Sequence, residues 1–370
     1  MLVDYARRLV NVQTARPRSV RLEPVPDLAV SRAPIRFREY EPRDRATIID
    51  LLAQGRPDEY RPMKEAIFDW QFGKNPDAGG TSPFLVGTVD GEVVAINGFM
   101  PARIRYKDIP VHATWSCDTY VSAKFRGRGF GKELIRRVSR NAPVMLGYGI
   151  SDMSDPILER ESWVLNPASR VLFFHVAEPG FKGTLKDLCT QVALRIHGLQ
   201  RRNVPVEISR HDEDFGPELD ELWAESAPGY LSAVRRDAAY LNWKYRKHPA
   251  LRYTWYAARE GGKLRAVVVA RHARNCSVIV DYCGPAREVD VMSALIADAT
   301  ADMAERGTMR VQCETTHAPL LAALEHCGFI RSHYRPRFRV RTNLPGDAQP
   351  VQGWFLMPGD SDGDMCPSVS

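Results

Sequence analysis

A short glycine-rich run constrains the fold of this chain more than any other feature. The run is Arg126-Gly127-Arg128-Gly129-Phe130-Gly131-Lys132; Thr119-Tyr120-Val121 precede it, and Leu134, Ile135 and Val138 follow at helical spacing. This order predicts a strand, a glycine turn and a helix. Glycine tolerates positive φ and carries no Cβ, so several backbone N–H groups can converge on an anion at the start of the helix. The run therefore predicts an anion-binding loop.

The spacing of the glycines narrows the choice of anion. It is not the G-x-G-x-x-G of dinucleotide folds, and Glu133 after Lys132 excludes the G-x-x-x-x-G-K-[ST] of nucleotide triphosphatases. What remains is Arg-x-x-Gly-x-Gly, which closely resembles the acyl-CoA-binding motif of the GNAT acetyltransferase superfamily. The resemblance implies that Arg126, Gly129 and Gly131 wrap the pyrophosphate of coenzyme A.

Composition bounds the class of protein. The chain has 370 residues, 44% hydrophobic and 26% charged, enough for about two domains with proper cores. No apolar run approaches the roughly 18 residues that span a bilayer, and residues 1–30 lack the apolar block of a signal peptide. The seven cysteines form no C-x-x-C pair, so we expect a cytoplasmic protein without disulfides or a metal site. A net charge of +6, spread along the chain, suits an anionic cofactor or an acidic carrier protein better than nucleic acid.

Four blocks of sequence recur in the same order in both halves of the chain, and two of them carry recognisable motifs. Residues 68–76 and 241–249 share the pattern W-x-aromatic-x-x-x-P around Trp70 and Trp243, and residues 151–163 align with 317–329. The second pair resembles another GNAT signature, a helix that ends in Gly-Phe or Gly-Trp. The sequence therefore predicts an α/β (α+β) protein of two tandem GNAT-like domains, each a mixed, mostly antiparallel sheet flanked by helices.

The predicted domain order has five parts. Residues 1–33 form an arm, 34–182 the domain with the acyl-CoA loop, 183–204 a linker helix, 205–342 a degenerate GNAT-like domain, and 343–370 a Gly/Pro/Asp-rich tail. The first domain is expected to contain strands at 35–39, 84–89, 92–105, 111–121, 144–150 and 169–177, and helices at 43–54, 62–72, 129–141 and 152–161. The second domain is expected to repeat this order, and the arm and tail could order on a partner.

The two halves differ at the glycine loop. After Asp281 the second half continues Tyr282-Cys283-Gly284-Pro285 and has no glycine-rich turn before its helix at 289–305. We infer that the first half alone holds the cofactor. The second half then shapes the acceptor cleft or serves as a structural prop or dimer surface.

Cofactor contacts follow from the resemblance. In the family, the backbone at the position of Val121 pairs with the pantetheine arm, and its N–H can polarise the acyl carbonyl. The cofactor is acetyl-CoA or another acyl-CoA. The residues expected to bind it are Val121, Arg126, Gly127, Arg128, Gly129, Phe130, Gly131, Lys132, Ser151 and Ser154.

Catalytic residues are less clear from the sequence. The family often supplies a glutamate and a tyrosine, but their usual positions here hold Trp115 and Leu158. Asp118 is the nearest carboxylate and the candidate base, and Tyr148 is the candidate acid that protonates the departing thiolate. His112 and His175 are alternative bases. Cys117 could suggest a nucleophile, but no activating arrangement is readable around it and direct transfer needs no acyl-enzyme.

The resemblance implies an acyl-CoA-dependent N-acyltransferase that acts by direct attack of an amine. Acetyl-CoA is the simplest donor, and Trp115 and Tyr148 favour a short acyl group. The acceptor is expected to be a primary amine of a small molecule or amino sugar. Two alternatives remain open: a longer-chain N-acyltransferase that uses acyl-CoA or acyl carrier protein with an amino acid or amine, and a non-catalytic CoA-binding or scaffold protein.

Overall fold

A computed structural model describes residues 33–166, 169–176, 204–347 and 353–364 of the chain. In these residues two mixed, mostly antiparallel sheets are flanked by helices, which confirms the predicted fold class. The predicted arm and linker helix lie outside the described residues, apart from Ala33 and Val204.

The elements of the first half agree closely with the predicted ones. They are β1 (Arg36–Glu39), α1 (Arg45–Ala53), α2 (Tyr60–Phe72), β2 (Phe84–Val89), β3 (Glu92–Tyr106), β4 (Ile109–Val121), α3 (Phe130–Val138), β5 (Val144–Tyr148), α4 (Asp155–Arg160), β6 (Val164–Asn166) and β7 (Arg170–His175). Helix α3 ends three residues earlier than expected, so Arg140 lies beyond it. Helix α4 begins at Asp155 rather than 152.

The second half follows the same order. Its elements are β8 (Glu207–His211), α5 (Glu218–Ser226), β9 (Ser232–Val234), α6 (Ala238–Leu241) with a π-helical turn at Asn242–Arg246, β10 (Thr254–Glu260), β11 (Lys263–Arg271), β12 (Ser277–Cys283), α7 (Val289–Glu305), β13 (Arg310–Thr315), α8 (Ala318–His326), β14 (Ile330–Arg331), β15 (Phe338–Thr342) and β16 (Trp354–Phe355).

The closing strands are exchanged between the two sheets. The first sheet runs β1-β2-β3-β4-β5-β15-β6, with β9 beside β3 and β16 beside β9; the second runs β14-β7-β13-β12-β11-β10-β8. Strand β7 pairs with β13 in the second sheet, and β15 pairs with β5 in the first. The expectation that each half closes its own sheet is wrong, and a division of the chain between 182 and 205 does not separate the sheets. Either closing strand can pair with either sheet, because the edge of a strand offers the same backbone N–H and C=O groups whatever its sequence.

The C-terminal segment also differs from the predicted tail. Residues 353–364 are not a solvated tail: Trp354 and Phe355 pair with β9, and Asp360 and Asp364 are buried. Asp360 accepts a hydrogen bond from Arg236 at 2.7 Å, and Asp364 forms an ion pair with Arg271 at 2.9 Å. A segment rich in Gly, Pro and Asp folds here because arginines distant in sequence neutralise its carboxylates.

Trp70 and Trp243, the matching tryptophans of the repeat, pack against each other. Their rings stack with centroids 5.1 Å apart, and both side chains are buried. Each indole N–H donates to the backbone carbonyl of the other residue, at 2.9 and 3.1 Å. The repeat therefore builds a reciprocal contact that joins the two halves.

Because these two hydrogen bonds belong to one contact, their loss should not be additive. Trp70→Phe and Trp243→Phe are each expected to lower the free energy of unfolding by about 1–3 kcal/mol, and a double-mutant cycle in urea should give a coupling of at least about 0.5 kcal/mol. Trp354→Phe is the matched control, since the buried Trp354 indole nitrogen has no hydrogen-bond partner among the described residues. Strictly additive losses of unfolding free energy in the double variant would contradict the reciprocal contact between Trp70 and Trp243.

Candidate active site

Strands β4 and β5 separate part-way along their length. They pair in parallel only where Ala113–Trp115 faces Val144–Leu146. From Ser116 onward β4 continues to Val121 without a described partner on that side, while the far edge of β5 is covered by β15. The backbone groups of 116–121 therefore line an opening between two strands.

A β-bulge at Asp118 marks this opening. Ile96 pairs with Tyr120 and Gly98 with Cys117, so Asp118 and Thr119 together face Asn97. Asp118 has a φ of 50°, a conformation that costs energy in a residue other than glycine. A bulge re-aims side chains, and bulges are common beside active sites.

Asn97 holds the bulge in place. This fully buried amide oxygen accepts hydrogen bonds from the hydroxyls of Ser116, at 2.7 Å, and Thr119, at 2.6 Å. The amide nitrogen donates to the carbonyl of Gly98 at 2.8 Å. The irregular backbone of β4 is thus fixed before any ligand arrives.

The glycine-rich loop has the conformation that an anion-binding loop needs. Gly127 and Gly129 have φ of 78° and 81°, and helix α3 begins at Phe130, directly after Gly129. Arg126 donates from Nε to the carbonyl of Val121 at 3.1 Å, which ties the loop to the end of β4. The free N–H groups of the first turn of α3 thus start where the β4–β5 opening ends.

Other predicted cofactor residues lie around this loop. Lys132 is exposed on the first turn of α3. Arg128 lies with its guanidinium 5.2 Å from the ring centroid of Phe130. Ser151 and Ser154 bond to each other through their hydroxyls at 3.0 Å before α4. Their roles in cofactor binding stay predictions.

Asp118 belongs to a buried polar cluster that the sequence did not reveal. The amine of Lys64, on α2, lies 2.5 Å from the Asp118 carboxylate and donates to Gln71 at 2.8 Å. The side chains of Lys64 and Asp118 are only 3% and 8% exposed. Lys64 was missed because one lysine on an amphipathic helix reads as a solvated side chain.

The C-terminal segment brings further charges to this cluster. Buried Lys244 donates to the carbonyl of Ser361 at 2.6 Å, and burial lowers the pKa of Lys244 to about 8. Asp362 is the next residue after Ser361. Its pKa is raised first by burial and second by the negative charge of Asp118, whereas the positive charges of Lys64 and Lys244 lower it. A Cβ placed on Gly363 would lie 4.0 Å from the ring of Tyr148, so the segment also reaches β5.

Tyr148 lies at the end of β5, half-buried, and its hydroxyl donates to Ser169 at 2.9 Å. Burial raises the pKa of the Cys117 thiol, which opposes a nucleophilic role for it.

His112 is exposed and nine residues back along β4 from Val121, about 30 Å away. His175 pairs with Arg310, the first residue of β13, in the second sheet. Neither histidine is placed to act as base at the β4–β5 opening.

The equivalent opening of the second sheet is filled by the chain itself. Strands β12 and β13 pair only where Ser277–Ile279 faces Val311–Cys313. Leu356 exchanges hydrogen bonds with Thr316, just after β13. A Cβ on Gly359 would lie 2.9 Å from the carbonyl of Val280 on β12 and would overlap the Tyr245 hydroxyl. Residues 354–360 therefore occupy the second opening, and only a glycine fits at 359.

Comparison with known proteins agrees with this geometry. Residues 45–148 match the profile of the Acetyltransferase (GNAT) family. The first half of the chain therefore contains a GNAT-family domain. The family that this profile describes is one of acetyltransferases. The matched region spans α1 to the end of β5 and so contains the opening, the bulge and the glycine loop. No curated protein matches the sequence significantly.

Solved structures show the same fold at low sequence identity. A GCN5-related N-acetyltransferase from Anabaena variabilis is 12% identical, with a TM-score of 0.58 over 84% of this chain and 73% of that one. A GCN5-related N-acetyltransferase from Kribbella flavida is 14% identical, with a TM-score of 0.55 over 84% and 71%. Saccharomyces cerevisiae N-myristoyltransferase with bound myristoyl-CoA is 12% identical, with a TM-score of 0.58 over 92% and 85%.

Members of the GNAT family use acyl-CoA as their donor. No helix in the described ranges has the length and apolar character to cross a membrane. Within the same ranges, no three or more His, Cys, Asp and Glu side chains are grouped to hold a metal ion.

Proposed function

We propose that this GNAT protein transfers an acetyl or similarly short acyl group from coenzyme A directly to a primary amine of a small molecule such as an amino sugar. The β4–β5 opening, continuous with the glycine loop, carries the proposal. The pyrophosphate would lie at the start of α3, bound by the N–H groups after Gly129 and by Arg126. The pantetheine arm would run along 116–121, and the Val121 N–H would face it.

The closed end of the opening supports a short acyl group. Trp115, the last residue of β4 that pairs with β5, is 1% exposed and packs against Phe338 with ring centroids 6.2 Å apart. A longer chain entering between the strands would have to displace this indole, and overpacking a dense core costs energy.

A longer acyl group is the second candidate, and a cavity favours it. A cavity of about 410 Å³ lies at the end of α2, lined in part by Phe68 and Phe72. Phe72 lines this space and also lies near the catalytic cluster, because the amine of Lys64 is 5.4 Å from the centroid of the Phe72 ring. The yeast N-myristoyltransferase of similar fold has myristoyl-CoA bound. An acyl chain that reached the cavity would need Phe72 to move.

Proton transfer would be carried out by groups of both halves. The acceptor ammonium must lose a proton before its nitrogen can attack, and either of two neighbouring carboxylates, Asp118 or Asp362, would accept it. Lys64 neutralises Asp118, whereas the raised pKa of Asp362 makes it the better base. Tyr148, hydrogen-bonded to Ser169, would return a proton to the thiolate.

The donor and acceptor classes are tested by thiol release. Acetyl-CoA, octanoyl-CoA, myristoyl-CoA and acetylated acyl carrier protein are each mixed with the enzyme and a panel of amino sugars and small primary amines. The proposal expects free thiol only when an amine is present, with acetyl-CoA the fastest donor and the N-acetylated amine visible by mass spectrometry. Faster release from the longer donors would favour the second candidate. CoA binding without amine-dependent release from any donor would contradict transfer to these amines.

Removing the proposed base should lower turnover without loss of cofactor binding. Asp362→Asn is expected to reduce kcat about 100-fold or more, since general base catalysis contributes on that order. The wild-type rate should rise with pH through a pKa above the usual aspartate value of 3.8, because Asp362 acts in its ionised form. The variant should lose that dependence. Asp50→Asn, an exposed surface change on α1, is the matched control. Equal kcat in the two variants would rule out Asp362 as the base.

A further inference from the structure

Glu314 is a buried carboxyl group that the proposed chemistry does not use. It lies next to the end of β13, is 7% exposed, and its Oε1 has no hydrogen-bond partner in the described part of the chain. The preceding residue, Cys313, packs in the core with α7 and α8. Because successive side chains of a strand point to opposite faces, Glu314 faces away from that core.

The strand register relates Glu314 to the first-half site. Glu314 pairs with Val171 on β7, and Ser169 lies two residues before Val171, directly before the strand begins at Arg170. In a regular ladder such diagonal neighbours lie about 7–8 Å apart. Ser169 accepts the hydrogen bond of Tyr148, the proposed acid of the reaction. Glu314 therefore lies beside the end of the β4–β5 opening, on a wall supplied by the second sheet.

A second wall comes from the segment that joins β14 to β15. Tyr334 of this segment lies near Glu314. The pKa of Tyr334 is raised mainly by burial and secondly by the charge of Glu314, whereas the charge of Arg337 lowers it. Arg337 donates to the carbonyl of Ile150 at 3.3 Å and forms an ion pair with Asp152 at 2.6 Å. The loop that follows β5 is thus linked through this segment to the surroundings of Glu314.

An acidic side chain in this position costs energy in the free protein. Burial raises the pKa of Glu314 to about 8, and among the residues that the structure describes no charge offsets this desolvation. A buried polar atom without a partner is destabilising compared with an apolar side chain of similar size. A cation bound beside it would favour the ionised carboxylate and satisfy the oxygen.

We propose that Glu314 binds a cationic group of the acceptor other than the amine that is acylated. The acceptor is then a diamine or another amine with a second positive charge, a specification that rests on the proposed N-acyltransferase function. The reacting amine lies at Asp118, Asp362 and Tyr148, and the second cation lies at the wall formed by the second sheet. On binding, the carboxyl group of Glu314 gives its proton to solvent and forms an ion pair with the ligand.

Binding rather than turnover tests this inference, so its failure is separable from failure of the acyl transfer. The probes are 1,4-diaminobutane and 1-aminobutane, titrated calorimetrically into the full-length protein near neutral pH, in two buffers of different ionisation enthalpy. The diamine is expected to bind about tenfold more tightly, as hydrogen bonds to charged groups can provide, and to release close to one proton more than the monoamine.

Glu314→Gln should abolish both the diamine preference and the additional proton release. The change is isosteric and replaces an acid that is neutral in the free protein, so the variant is expected to fold. If it does not fold, Glu314→Leu is used for the same two measurements. Glu305→Gln, exposed at the end of α7, should behave as wild type. Equal binding of the two amines by the wild type, no binding of either, or a preference that survives in Glu314→Gln would each overturn the proposal.

Discussion

Gly129→Glu is expected to abolish acyl-CoA binding while leaving the protein folded. Gly129 immediately precedes α3 with a φ of 81°, and a Cβ placed there meets no atom within 4 Å. The variant therefore introduces backbone strain of about 1–3 kcal/mol and no clash. Its carboxylate would lie where the pyrophosphate binds and would repel it. Thermal unfolding with acetyl-CoA at a hundred times its dissociation constant should show about 2.7 kcal/mol of stabilisation in the wild type and none in the variant.

A matched control separates the strain from the lost site. Gly262, in the hairpin between β10 and β11, also has a φ of 81° and open space around its Cβ position. Gly262→Glu should lose a similar amount of intrinsic stability but keep the full shift with acetyl-CoA. If Gly129→Glu retained that shift, the glycine loop would not be the pyrophosphate site.

Arg236→Met is expected to cause a large loss of stability, about 3–5 kcal/mol, since it removes the positively charged partner of two buried carboxylates. The Arg236 guanidinium is fully buried, 2.8 Å from Asp281 and 2.7 Å from Asp360, and it donates to the carbonyl of Val234. This ion pair also holds the C-terminal segment in the second opening. Turnover should therefore fall further than the loss of folded protein explains, because Asp362 is two residues beyond Asp360.

The comparison for Arg236→Met is an exposed arginine. Arg61 is 49% exposed and pairs with Asp50 and Glu65 on the protein surface. Such pairs contribute at most about 1 kcal/mol, so Arg61→Met should shift the urea midpoint only slightly. Similar losses in Arg236→Met and Arg61→Met would contradict the role given to the buried pair.

Local patterns in the sequence were sufficient for much of the fold. The glycine loop and the bounds of most strands followed from turn residues and hydrophobic periodicity, which act over a few positions. The repeat around Trp70 and Trp243 predicted two similar units, although not that the two indoles bond to each other. These features could be read because their physical cause lies within each segment.

The long-range features could not be read in this way. Nothing in the apolar pattern of β7 or β15 states which sheet each strand joins, because the two sheets offer similar edges. The C-terminal segment has the composition of a solvated tail, and its burial depends on Arg236 and Arg271, more than ninety residues away. The sequence therefore placed Asp118 and Tyr148 at the site but missed Asp362, which lies in that segment.

The stoichiometry of acyl-CoA binding distinguishes one cofactor site from two. One cofactor is expected in the β4–β5 opening of the first half, because residues 354–360 fill the equivalent opening of the second. Calorimetric titration of the full-length protein with acetyl-CoA should give one molecule bound per chain and no binding to Gly129→Glu. Two molecules per chain, or one that still binds to Gly129→Glu, would contradict the account.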